Sequence, residues 1–428
     1  MKDEILHALS EEIQEQDYCI VSYYTELACG ADPYEKAKNL AVGQTVGTWI
    51  SVPGITEEMR RHHMGKVVNI FDLNADDLVR DFREEKKKYI FQIAYPVANF
   101  ENRLPLFLTT ILGNDASTSI QAKIIDLHFP GKMVESFPGP AWGIRGIRSL
   151  CGEKERPLLL NMIKPCIGFS PRQGAALFYE TALGGIDFIK DDELLGNLSF
   201  CPLEERVREY TKAARAAFEI TGKETIYIPN ITDHVANLVE NAKRAVDAGA
   251  KMIMVNFAAA GIGALQMLRE QVTVPIMGHY AGAGPFYEGA CSGMASSLVL
   301  GKLPRLAGAD IVMINTPYGG YPLKRSSYLR TVHELSLSLG NIKPALPSCG
   351  GGVNPKMAYR LIEDLGTDIM LAPGGAVQGH PMGAKAGVKA MLDAVQAKME
   401  GRTLEEAMET SGELRAASRI WERQEETA

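Results

Sequence analysis

Residues 184–193 read Gly-Gly-Ile-Asp-Phe-Ile-Lys-Asp-Asp-Glu. A short apolar run passes without a break into Lys190, Asp191, Asp192 and Glu193. Two carboxylates at a strand end can hold a hard divalent cation, and Mg2+ takes carboxylates together with water and substrate oxygens. A free ammonium beside that ion would be repelled. If carbon dioxide adds to the neutral amine of Lys190, the product is a carbamate, an anionic oxygen ligand. A lysine reaches the neutral form when its surroundings lower its pKa. In a strand, residues 190 and 192 point to the same side, and residue 193 joins them as the chain leaves the sheet. Taken locally, the segment reads first as a solvated, salt-bridged turn, with the metal site as the alternative.

The elements that would position these residues repeat along the chain. Apolar, β-rich runs end at residues 164, 190, 230, 256, 279, 315, 348 and 373, at intervals of 23 to 40 residues. Each interval is long enough for a crossover helix, and 170–185 and 203–222 show helical apolar periodicity. Eight parallel strands with eight crossovers predict an α/β fold, a C-terminal (β/α)8 TIM barrel, whose catalytic residues sit at the C-terminal strand ends. Those ends carry Lys164, the 190–193 cluster, Asn230, Asn256, His279, Asn315, Ser348 and Gly374-Gly375. A doubly wound open sheet is the competing fold, but the first strand here ends in lysine and the glycines gather after the last two. Residues 1–135 mix strands and helices in an order that suggests an N-terminal α+β, ferredoxin-like domain. Residues 136–428 hold the barrel and terminal helices.

Composition excludes several classes. The 428 residues carry a net charge of −7 with no basic face, so no nucleic acid partner is expected. No stretch approaches the roughly 20 apolar residues of a membrane helix, so no membrane partner is expected. The acidic, amphipathic N-terminus has no apolar signal core. Seven scattered cysteines with no CxxC pair suit a reducing compartment, and a cytoplasmic location is the expectation.

GGIDFIKDDE, the IKP at Lys164, the barrel order and the α+β N-terminal domain together resemble the large subunit of RuBisCO over nearly the whole chain. The resemblance implies that Lys190 is carbamylated and binds Mg2+ with Asp192 and Glu193. It implies a catalytic role for Lys164 and His279. It also implies substrate and phosphate contacts from Thr48 and Trp49 in VGTW, Asn114 in ILGND, and the glycine turns at Gly350-Gly351 and Gly374-Gly375. Glycine suits this last role because backbone N–H groups can converge on an anion. A homodimer is implied, with active sites at the subunit interface and a small phosphorylated substrate.

The departures fall unevenly. Cys166 stands where the carboxylases carry the second lysine of a lysine-proline-lysine motif. Gly320 stands at the flexible-loop lysine, with Lys324 nearby. Met313 replaces a histidine, Tyr280 an arginine and Gly43 a glutamate. The serine before the glycine turn becomes Cys349 or Gly350, with Ser348 adjacent. The metal ligands and one phosphate pocket remain, while the residues for the second phosphate and for gas addition are largely gone. The chain therefore resembles the RuBisCO-like proteins of form IV and not the carboxylases.

The chemistry left is enolisation or isomerisation of a phosphorylated ketose or related ketone. Mg2+ acidifies the carbon-bound proton. A carbamate oxygen of Lys190 takes it, Lys164 with a lowered pKa returns one, and His279 binds or relays. One related group enolises a diketo methylthiopentyl phosphate and carries a lysine, its proposed base, where this chain has Asn114, which counts against that activity. Other readings are a methylthioribulose phosphate isomerase, a decarboxylase or transcarboxylase of an oxo-sugar-acid phosphate, and a non-catalytic metabolite-binding or stress-related protein.

Other residues read as structural. His62, His63, His234 and His333 read as surface, and His128 and His380 as packing or capping. Cys166 reads as a spacer, Met252, Met254 and Met313 as barrel filling, and Asp191 as a salt-bridge partner facing away from the ion.

Overall fold

A computed structural model gives the structure and describes residues 13, 17–47, 52–74 and 86–425, with 419–425 as backbone only. The chain divides into two compact units. One comprises Met1–Pro138, Ala283–Leu303 and Leu339–Ile342; the other comprises Gly139–Gly282, Pro304–Ser338 and Lys343–Ala428.

The first unit is built on an antiparallel sheet of β1 (Tyr18–Ala28), β2 (Lys66–Asp72), β3 (Lys86–Pro96) and β4 (Lys123–His128), in the order β2-β3-β1-β4. With the helices Pro33–Gly43 after β1 and Leu104–Ile111 after β3, this is the split βαβ, ferredoxin-like arrangement. Asp32 starts the first helix by accepting hydrogen bonds from the N–H groups of Tyr34 and Glu35. Tyr23, Phe91, Ile93, Phe107 and Ile111 are fully buried. The Tyr23 hydroxyl reaches the carbonyl of Ile111 at 2.9 Å, which ties the sheet to the second helix.

The second unit holds eight parallel strands: β5 (Leu158–Met162), β6 (Phe188–Lys190), β7 (Ile226–Ile228), β8 (Ile253–Asn256), β9 (Ile276–His279), β10 (Ile311–Asn315), β11 (Leu346–Gly350) and β12 (Met370–Leu371). Their order is β7-β6-β5-β12-β11-β10-β9-β8. Two hydrogen bonds close the sheet between its ends, from Met254 N–H to Pro229 O at 2.8 Å and from Ile231 N–H to Met254 O at 2.9 Å. The result is the expected (β/α)8 barrel, and all eight apolar runs become strands.

The interior is one apolar cluster. Leu160, Phe188, Ile228, Met254, Met277 and Met313 all belong to it, as do Met252 and Met370. Side chains alternate across a strand, so the next inward positions lie two residues further on. Those positions are Met162, Lys190, Asn230, Asn256, His279 and Asn315. Met162 apart, the apolar filling thus changes to lysine, histidine and amides toward the C-terminal strand ends, where barrel chemistry takes place.

Candidate active site at the barrel mouth

β6 ends at Lys190, and the chain turns through Asp191, Asp192 and Glu193. Lys190 is completely buried. Its Nζ donates to the Asp191 carbonyl at 2.9 Å and lies 3.8 Å from Glu193 Oε2. Burial disfavours its charge and lowers its pKa below the usual lysine value, against the pull of Glu193 and Asp192. This amine is therefore shifted toward the neutral form, whose lone pair can add to carbon dioxide.

The neighbouring carboxylates face different partners. Asp192 Oδ2 lies 2.6 Å from Lys164 Nζ. Glu193 Oε2 lies 3.6 Å from His279 Nε2. Lys164, Asp192, Lys190, Glu193 and His279 thus stand in one patch, supplied by β6, β9 and the turns after β5 and β6. Gly374 adjoins it, since a Cβ there would lie 3.9 Å from Lys164 Cε and would strike Met162 Sδ.

His279 is buried, and its pKa lies well below the usual 6.5, first through burial and then through the nearby Lys190 charge. Its Nδ1 accepts from the N–H of Ala281 at 3.1 Å, which assigns the proton of the neutral ring to Nε2 on the Glu193 side. Tyr280 stacks on the ring, with centroids 5.2 Å apart and planes 8° apart.

Lys164 differs from expectation. Burial alone would lower its pKa, but hydrogen bonds to Asp192 and Cys166 outweigh it and raise the value above 10.5. Lys164 is an ammonium here, a proton donor and not a base. Burial also works to raise Asp192, and the Lys164 contact overrides it, which keeps the carboxylate ionised. Cys166 Sγ, 3.0 Å from Lys164 Nζ, is a second acceptor for that ammonium.

Beneath the turn lies a fully buried network. Asp191 Oδ2 accepts from Arg206 Nη2 at 3.0 Å and from the N–H of Asn230 at 2.8 Å, while Oδ1 accepts from Tyr227 Oη at 2.7 Å. Arg206 also donates to the carbonyls of Cys201 and Gly196, at 2.6 Å and 3.1 Å. Burial opposes the Arg206 charge, and the Asp191 carboxylate more than offsets it. Asp191 does face away from the Lys190–Glu193 patch. Arg206 escaped the sequence reading, although its signal was present. It shares a helical face with Leu203, Val207 and Tyr210, and a cation in an apolar stripe needs a buried partner.

The glycine turns follow β11 and β12. Gly351 and Gly352 have φ of +87° and +94°, a backbone that favours glycine. The Gly351 carbonyl accepts from the N–H of Gly320 at 3.0 Å, so the loop after β10 lies against this turn. Gly350 lies beside Met313, whose terminal methyl a Cβ would displace. Ser348 points inward, with a buried hydroxyl that has no partner. The Gly374-Gly375 turn is braced by Asn161, whose Nδ2 donates to the carbonyl of Pro373 at 2.7 Å.

Asn114 belongs to the first unit, where it is exposed after the helix Leu104–Ile111. Thr48 and Trp49 lie outside the described residues. Among the described residues no three His, Cys, Asp or Glu side chains gather as a metal site. The 190–193 turn offers two carboxylates, and its third member is a lysine. His63, bonded through Nδ1 to Asn99 at 2.7 Å, is exposed, as are His62, His128, His234 and His333, so His128 does not pack as expected. His380 packs through Glu413 O, at 2.9 Å from Nε2. None of the seven cysteines is in a disulfide, and among the described residues no helix is long and apolar enough to cross a membrane.

This barrel, its lysine-and-carboxylate mouth and the split βαβ unit together define a class. The model of the ribulose bisphosphate carboxylase large chain, catalytic domain, matches residues 143–421, and that of its N-terminal domain matches residues 9–133. The chain belongs to the RuBisCO large-chain family. It is 41% identical to a ribulose bisphosphate carboxylase-like protein of Archaeoglobus fulgidus, over 92% of this chain and 91% of that one. It is 38% identical to a 2,3-diketo-5-methylthiopentyl-1-phosphate enolase of Geobacillus kaustophilus, over 91% of this chain and 95% of that one. A rubisco-like protein (MtnW) from Alicyclobacillus acidocaldarius superposes with a TM-score of 0.87 at 34% identity, covering 95% of this chain and all of that one. A dimeric archaeal Rubisco from Hyperthermus butylicus gives 0.85 at 32% identity, covering 95% of this chain and 96% of that one.

Proposed function

We propose that the protein is an enolase-type member of the RuBisCO superfamily that moves a proton on a phosphorylated ketone and does not carboxylate ribulose bisphosphate. The observation that carries this reading is the placement of Lys190. It is an amine wholly buried at the barrel mouth, its charge disfavoured, with Glu193 3.8 Å away and Asp192 beside it. Addition of carbon dioxide to that amine forms an N–C bond, releases one proton and replaces the amine by an anionic carbamate. The carbamate oxygens, Asp192 and Glu193 then form a set of hard oxygen donors, which fits Mg2+. The ion would draw electron density from the substrate ketone oxygen and acidify the adjoining C–H.

The chain's own groups divide the remaining work. Lys190, once carbamylated, would offer an oxygen to take the carbon-bound proton. Lys164, an ammonium, polarises a carbonyl or returns a proton to carbon or oxygen. Neutral His279 holds a substrate hydroxyl through Nε2–H. The N–H groups at Gly350-Gly351 and Gly374-Gly375 receive the phosphate.

The diketone phosphate named for the Geobacillus relative is the first substrate to try. An amide accepts no carbon-bound proton, so Asn114 serves as a binding residue, and its identity bears on which group is the base and leaves the reaction itself open. Residues 1–135 and 136–428 act as the two domains of each subunit of a homodimer with active sites at the subunit interface; the dimeric Hyperthermus relative supports the dimer.

Phosphorylated ketones in heavy water with Mg2+ and bicarbonate, followed by NMR, test the proposal. Deuterium uptake at the carbon beside the ketone is expected from wild type and not from Lys190→Met. Uptake that is equal in the two proteins would contradict it.

A further inference from the structure

The Glu193 carbonyl receives two side-chain donors. Asn230 Nδ2 lies 3.0 Å away and Asn256 Nδ2 2.9 Å away. Asn230, two residues past β7, and Asn256, the last residue of β8, end neighbouring interior columns, and both are buried. Thr232 joins them: its hydroxyl donates to Asn230 Oδ1 at 2.6 Å and accepts the N–H of Asn256 at 2.9 Å. Asn230 Nδ2 also lies 3.4 Å from the Asp192 carbonyl.

Asn256 pays for this position. Its Oδ1 is buried and has no hydrogen-bond partner. Flipping the amide would set that oxygen against the Glu193 carbonyl and remove one of its two donors. A lone buried acceptor costs at least as much as one neutral hydrogen bond returns. Fold stability alone does not favour an asparagine here. The main-chain carbonyl of Glu193 adjoins the Cα that bears its carboxylate, so fixing that peptide plane fixes the direction in which the side chain leaves. That direction sets Oε2 between Lys190, at 3.8 Å, and His279, at 3.6 Å.

We infer that Asn256, with Asn230 and Thr232, is a positioning group for the Glu193 carboxylate, acting on divalent-ion binding through the main chain without touching ion or substrate. The inference rests on the metal reading above. Loss of such outer groups weakens ion binding by about 10–100-fold.

The test is thermal melting of the full chain across a Mg2+ titration in bicarbonate, for wild type, Asn256→Ala and Thr232→Val. For Asn256→Ala the Mg2+ midpoint should rise about tenfold or more. Its melting temperature without Mg2+ and bicarbonate should match or exceed wild type, because the lone acceptor leaves with the amide. Asn256→Asp, which sets a carboxylate oxygen against the carbonyl, should raise the midpoint at least as far. Thr232→Val, which removes the hydroxyl that holds Asn230 Oδ1 and the main-chain N–H of Asn256, should raise it as well, and it decides the matter if Asn256→Ala does not fold. A wild-type response to Mg2+ with unchanged midpoints in the variants overturns the inference alone. A large fall in ligand-free melting with unchanged Mg2+ dependence assigns Asn256 to the fold and also overturns it. A wild type that ignores Mg2+ overturns the metal reading and the inference with it.

Discussion

Lys164 Nζ and Asp192 Oδ2 lie 2.6 Å apart, so the ammonium that would serve as proton donor is paired with a carboxylate of the proposed ion site. The pairing explains why Lys164 stays charged although it is partly buried. It also means that ion binding, which draws on Asp192, would loosen Lys164 and leave it facing the substrate.

Lys164→Met should therefore lower turnover by about 10²–10⁴-fold, the usual worth of a positioned acid or base. Cys166→Ala removes only a second acceptor from the ammonium, so its effect should stay within the ~0.5–1.5 kcal/mol of one hydrogen bond. Steady-state kinetics on the deuterium-exchanging substrate compare the two. A loss in Cys166→Ala as large as that in Lys164→Met would make the thiol a participant and not a spacer.

The strands were legible because each apolar run is short, β-rich and spaced for a crossover, and the α+β unit was legible in its element order. The residues of the proposed ion site are singled out by local spacing together with a resemblance. Two features could not be read this way. The high pKa of Lys164 depends on Asp192 and Cys166 reaching it across the turn, which spacing does not reveal. Thr232 lies beyond the end of β7, and nothing in its neighbours announces that it links two asparagines from different strands.

Arg206 and Asp191 form an ion pair in which both side chains are fully buried. Removing one partner leaves the other buried without its counter-ion, although its remaining hydrogen bonds stay. Arg206→Leu should cost about 3–5 kcal/mol of stability, measured by urea unfolding. Replacing both Arg206 and Asp191 by leucine should cost less than the sum of the single changes. Additive losses would show that the pair is not coupled.

His279 gives a pH signature in ion-free, bicarbonate-free buffer. Its folded pKa is depressed below 6.5, so between those two values the unfolded chain binds more protons than the folded one. Its contribution to stability is complete above pH 6.5 and declines as pH falls from 6.5 toward the folded value. Melting temperature followed from pH 8 to pH 5 should fall less steeply in His279→Gln than in wild type. Parallel curves would mean that the histidine is not held neutral by the fold.

The central claim is that Lys190 becomes a carbamate that joins Asp192 and Glu193 around one divalent ion. Carbon-13 NMR of the protein in labelled bicarbonate with Mg2+ tests it most directly. The account predicts a carbamate resonance stoichiometric with the chain, strengthened by Mg2+ and missing in Lys190→Met. A wild-type spectrum without that resonance at saturating bicarbonate and Mg2+, or the same resonance in Lys190→Met, would contradict it.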